Sequence, residues 1–162
     1  MTDLINRLQI MFPDLKFRAG PQFCWSPQTG EVIYKKNFKS DEANWSLLHE
    51  TGHAILGHTT YQADTELLRL EVAAWHKANQ LAAELGLKID ADHIQDCLDS
   101  YRDWLYRRSI CPACTTKCLQ QGDFVHYRCF NCHKIWRVSS NRFSRAYRST
   151  NKISAEAEIL FT

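Results

Sequence analysis

The 162-residue sequence predicts an α+β protein in which a small antiparallel sheet and three to four helices precede a small β module. Three observations predict it. Two short runs of β-forming residues flank a Pro- and Gly-containing turn near residue 28. Apolar residues then recur at helical spacing from about residue 40 to 105. Finally, two Cys-x-x-Cys pairs stand 14 residues apart, beyond the last helical stripe.

Taken in order, Leu4, Ile5, Leu8 and Met11/Phe12 form one apolar face, so residues 3–12 read as a short amphipathic helix ended by Pro13. Leu15 to Arg18, running on to Phe23-Cys24-Trp25-Ser26, and then Glu31 to Lys35 read as strands, with Ser26-Pro27-Gln28-Thr29-Gly30 turning the chain between them. This sheet covers a helix and offers an edge strand to which an extended peptide could pair. Ser40-Asp41-Glu42 is a helix start, with a capping hydroxyl followed by acids in the first turn, and Gly57 a stop. Asp64 to Leu85, with Gly86 beyond it, carries a stripe through Leu67, Leu68, Val72, Trp75, Ala78, Leu81, Ala82 and Leu85. A further helix starts at 90–92 and shows Ile94, Cys97, Leu98, Tyr101, Trp104 and Leu105.

Composition bounds the function classes. With 44% hydrophobic and 23% charged residues the chain suits a soluble globular protein, and no apolar run approaches the ~20 residues of a membrane-spanning helix. Residues Met1 to Arg7 lack the basic start, apolar block and cleavage site of a signal peptide, so a cytoplasmic location is expected, with no membrane partner. The seven cysteines then read as thiols or metal ligands rather than disulfides, with Cys24 and Cys97 as small apolar residues. Charge is uneven. Residues 1–105 carry 10 Lys and Arg against 15 Asp and Glu, whereas residues 106–162 carry 10 against 3, a split of −5 and +7. An acidic body and a basic end suggest two tasks.

The chemistry centres on His49-Glu50-Thr51-Gly52-His53. Residues four apart share a helix face, so His49 and His53 aim two imidazoles at one point. Glu50, one step round, can hold a water on a zinc ion there and take its proton without binding the metal itself. A catalytic zinc usually needs a third protein ligand. His58 follows His53 by five residues, one short of the six that a glycine-turned third histidine requires. Glu66 and Glu71 lie on the next helix. Glu66 is explained by the helix's first turn, while Glu71 sits among apolar and small residues, where a carboxylate requires a partner. Glu71 is therefore preferred, then Glu66, then His58. Glycine at 52 makes sense if a neighbouring backbone comes close. Tyr61, His58 and Tyr101 are the candidates for stabilising an oxyanion.

The second constellation is Cys111-Pro112-Ala113-Cys114 with Cys129-Phe130-Asn131-Cys132. Each pair makes a knuckle aiming two thiolates at one ion, and two knuckles close a structural zinc site. Gly122-Asp123, a strand before Arg128 and a strand at Ile135 to Val138 complete a zinc ribbon, too small to fold without its metal. Cys118, His126 and His133 stay outside the ligand set. Arg128, Lys134, Arg137, Arg142, Arg145, Arg148 and Lys152 interleave with aromatic residues, a pattern suited to nucleic acid.

The segment from His49 to His58, with Glu71-x-x-Ala74-Trp75 on the following helix, resembles the ImmA/IrrE family of zinc metallopeptidases over roughly residues 15–106. The resemblance implies a small gluzincin with Glu71 as the third zinc ligand, intracellular, and it implies cleavage of a regulatory protein. Many relatives carry a glutamate two residues after that ligand and Asn or Asp four after it; here those places are Ala73 and Trp75. The expected organisation is a minimal zincin-like metallopeptidase domain at 1–108, a four-cysteine ribbon at 109–140 and a basic tail at 141–162. The expected activity is zinc-dependent endopeptidase, with one catalytic and one structural zinc and a protein substrate. Two rivals stand beside it. One is a SprT-like protease acting on DNA-attached proteins, whose third ligand would be a histidine. The other is a non-catalytic DNA-binding regulator, against which an intact Glu50 argues.

Overall fold

Helix α1 (Asp3–Met11) buries Leu4, Ile5 and Leu8 and is followed by strands β1 (Lys16–Gly20), β2 (Cys24–Ser26) and β3 (Glu31–Lys35). Three long helices come next, α2 (Asp41–Ile55), α3 (Asp64–Glu84) and α4 (Ala91–Ser109), and then strands β4 (His126–Arg128), β5 (Ile135–Val138) and β6 (Arg148–Ser149). This computed structural model describes residues 3–138 and the backbone of 148–149. Most of the tail, including Arg142, Phe143, Arg145, Tyr147 and Lys152, lies outside the described residues. The class is the expected α+β. Among the described residues no helix is long and apolar enough to cross a membrane.

The chain divides into two compact units, Met1–Tyr61 with Glu66–Asp96, and Gln62–Thr65 with Cys97–Thr162. In the first, the sheet order is β1-β3-β2. β2 and β3 form the expected antiparallel hairpin, with Gly30 at φ 66° donating its N–H to Ser26 O. β1, however, pairs with β3 in parallel, Lys16 opposite Glu31, so the sheet is mixed rather than wholly antiparallel. Residues 21–23 carry the chain past β3, and β1 and β2 end on opposite sides of it. β2 is left as an edge, and α2 packs against β2 and β3.

The helix boundaries follow local chemistry. Ser40 Oγ accepts from Ala43 N–H and caps α2, and Gly57 leaves the helix at φ 63°. Gly86 does the same after α3 at φ 68°. Buried Leu47, Leu48, Ala74, Ala78, Leu81 and Ala82 form the facing surfaces of the core, and Val72, counted in the predicted stripe, is exposed. A Cβ on Gly52 would lie 2.7 Å from the carbonyl oxygen of Ala74. That distance is the close backbone approach the glycine permits, and it brings α3 alongside the His-Glu-x-x-His turn of α2.

The second unit has its own core of Cys111, Cys118, Tyr127, Cys129, Trp136 and Val138, with Tyr127 stacked on Trp136. Strand order is β4-β5-β6, all antiparallel. Asp64, Arg108 and Tyr127 meet in the interior: Arg108 Nε lies 3.2 Å from Asp64 Oδ2, and the Tyr127 hydroxyl donates to the same carboxylate. The Arg108 guanidinium sits 4.1 Å over the Trp104 ring, and its backbone carbonyl accepts from Trp136 Nε1–H at 3.0 Å. Burial and the Asp64 carboxylate both push the Tyr127 hydroxyl well above the usual tyrosine range.

Candidate metal centres

On α2, the four-residue spacing places His49 and His53 on one face, with their Nε2 atoms 3.1 Å apart. α3 supplies Glu71, whose carboxylate oxygens lie 3.2 Å from His49 Nε2 and 3.6 Å from His53 Nε2. Ligand bonds of roughly 2.0–2.1 Å to a tetrahedral zinc imply donor separations of about 3.3 Å, so these three donors fit such an ion. Burial supports the same conclusion. His49 is 8% and Glu71 6% exposed, and two imidazoles facing a carboxylate form a cluster that a cation would complete. Burial by itself would raise the Glu71 carboxyl; contact with His49 and then His53 outweighs it and holds the group at about 2.

Glu50 stays out of this trio. Its Oε2 accepts from the backbone N–H of Trp25 on β2 at 2.7 Å, while Trp25 Nε1–H donates to His58 O at 2.6 Å. The edge strand is thus fastened to both ends of the motif by one residue, Trp25, whose place in the sequence marks it only as part of a strand. His58 is not among the converging donors. Its Nδ1 lies 2.8 Å from Nδ1 of His53, at the other ring nitrogen, and burial together with the His53 ring lowers its pKa. Glu66 is half-buried and likewise apart from the cluster.

The four thiols of Cys111, Cys114, Cys129 and Cys132 also converge, all within 4.8 Å of one another. Sγ separations of 3.6 Å (Cys111 to Cys132) and 3.4 Å (Cys114 to Cys129) approach the ~3.8 Å edge expected from zinc–sulfur bonds of about 2.3 Å. They are far from the roughly 2.05 Å of a disulfide. The two knuckles repeat one backbone design. Thr115 and His133 each take positive φ, near 60°, and donate N–H to the carbonyl of the first cysteine, Cys111 or Cys129, at 3.0 Å. Ala113 N–H points at Cys111 Sγ (3.4 Å) and Cys132 N–H at Cys129 Sγ (3.5 Å), donors suited to thiolates. The Thr116 hydroxyl and amide draw the Cys114 thiol down to about 5. Cys118 behaves differently: burial and then the neighbouring Cys129 push it up to about 11, and its thiol donates to Thr116 O. His126 pairs instead with Asp123 Oδ2 at 2.7 Å. Cys24 and Cys97 are half-buried and outside both clusters.

Residues 7–104 match the family profile described as Peptidase M78, IrrE N-terminal-like domain. The chain belongs to the Peptidase M78 family. The match spans well over half the sequence and contains every residue of the His49/His53/Glu71 cluster, so the chain carries the metallopeptidase domain of the ImmA/IrrE type. The M78 match ends at 104, before the four-cysteine cluster. No curated protein and no solved structure matches the chain.

Proposed function

We propose that this M78 protein is a zinc-dependent endopeptidase acting on a protein substrate. The observation that carries this reading is the convergence of His49, His53 and Glu71 beside a Glu50 that is held by its own hydrogen bond. Zinc held by those three residues would supply Lewis acidity and an acidified water at its open position. Glu50 is the base. With Oε2 engaged by Trp25, its other oxygen receives the proton and later delivers it to the departing amine. β2, an edge strand beside the motif, provides backbone along which an extended peptide can lie. The carboxylate as third donor favours this reading over a SprT-like one, which needs a histidine there. The four-cysteine cluster holds a second, structural zinc.

Glu50→Gln keeps shape and removes the base. The purified chain is incubated with the proteins encoded beside it, with and without chelator, and products are identified by mass spectrometry. The variant should retain its zinc while turnover falls by about 10²–10⁴-fold. Equal activity in variant and parent rules the mechanism out.

A second task is suggested by the ribbon. Phe130, between two of the cysteines, is 74% exposed, in a segment that carries Arg128, Lys134 and Arg137. We propose nucleic-acid contact through phosphates and stacking. Binding of a labelled single strand should weaken with salt, with a log–log slope of about −0.7 per phosphate neutralised. No binding even at low salt would remove this role.

A further inference from the structure

The two histidines of the cluster are held in different ways. His53 shares its second ring nitrogen with His58. The corresponding atom of His49, Nδ1, is buried and has no hydrogen-bond partner among the described residues. The ring lies instead against the indole of Trp75, centroids 4.2 Å apart and planes inclined by 28°. Trp75 is only 5% exposed, and its own Nε1 also lacks a partner among the described residues, so packing rather than a hydrogen bond keeps it in place. That packing continues outward. His93 meets the Trp75 ring edge-on at 5.7 Å and touches Trp45 at 4.9 Å, and Trp45 Nε1–H donates to Lys88 O at 3.1 Å.

We propose that Trp75 is the positioning residue for His49, setting its ring plane and favouring it in the metal-bound state. A metal-ligating imidazole ordinarily hands its other N–H to an oxygen acceptor, which fixes its tautomer and orientation. Among the described residues His49 has no such acceptor, so its orientation comes from the stack. An imidazole that donates through Nε2 to a cation becomes electron-poor. The indole face is the most electron-rich surface a side chain offers, so the stack strengthens when metal binds. Volume alone does not do this.

This inference rests on the reading of His49, His53 and Glu71 as a metal site, and the test separates the two. The full chain is stripped of its chelator-labile zinc and titrated with zinc against a chromophoric chelator, as parent, His53→Ala, Trp75→Phe and Trp75→Leu. Metal-free melting checks that each variant folds. Parent should take up zinc that His53→Ala does not. Trp75→Phe, which retains a ring face, should bind within about fivefold of parent. Trp75→Leu, which fills the space without one, should bind about 10–100-fold more weakly. A second readout needs only the Phe variant: zinc should change the tryptophan fluorescence of the parent, and that change should shrink severalfold in Trp75→Phe. Leu binding as tightly as parent, Phe as weakly as Leu, or a zinc-dependent signal undiminished in Trp75→Phe overturns the role of Trp75. A parent whose zinc uptake is unaffected by His53→Ala overturns the metal site itself, and the inference with it.

Discussion

Glu71 is buried with its two oxygens facing His49 and His53, contacts that favour its charged form. Glu71→Gln should therefore weaken zinc at this site by at least about tenfold and abolish cleavage. Glu66→Gln, which alters an acid outside the cluster, should leave zinc content unchanged. Zinc analysis of the two variants after gel filtration decides between the acids. At this scale the helical pair His49/His53 was legible because four-residue spacing fixes their common face within one element. Glu71 was legible through the cost of burying a lone carboxylate. The tasks of Trp25, His58 and Trp75 were not, since each depends on which residue another element sets opposite it. Trp25 reads as a strand residue and Trp75 as one member of an apolar stripe.

Two elements meet where glycine allows them to. Because a Cβ at Gly52 would approach the Ala74 carbonyl oxygen at 2.7 Å, Gly52→Ala should push α2 from α3 despite alanine's better helix propensity. The expected cost is roughly 1–3 kcal/mol, with weaker zinc binding because Glu71 rides on α3. Thermal melting and the zinc titration measure both. Tyr127 on β4 makes a pH prediction. Its folded pKa is raised above the ordinary 10.0, so the hydroxyl's contribution is complete below pH 10 and is lost as pH rises beyond it, where only the unfolded chain ionises readily. Stability of the parent should fall above pH 10, and Tyr127→Phe should flatten that fall. The helices were readable from caps and stops such as Ser40, Gly57 and Gly86. The parallel pairing of β1 with β3 was not, because β1 and β2 follow one another with only residues 21–23 between them, and no local signal tells an adjacent strand from one across the sheet.

For the molecule as a whole the two donor clusters predict two zinc ions of unequal lability. Four thiolates would close around an ion, whereas three donors would leave a position open. A moderate chelator should remove one zinc and end proteolysis while leaving the ribbon folded; a strong chelator with reductant should then remove the second and unfold it. Elemental analysis and near-ultraviolet circular dichroism follow the two steps. The cysteine spacing made the second donor cluster readable. The partnership of Asp64 was not readable: it looks like an ordinary helix-opening acid, yet it is buried against Arg108 and Tyr127. That partnership bears on how such a chain can be inherited. The M78 match stops at 104, but Asp64 lies inside it and both its partners lie beyond. A recombination event joining a different ending at that point would remove both partners of the Asp64 carboxylate at once. An ending joined at that point would have to bring new partners for Asp64 or open its carboxylate to water.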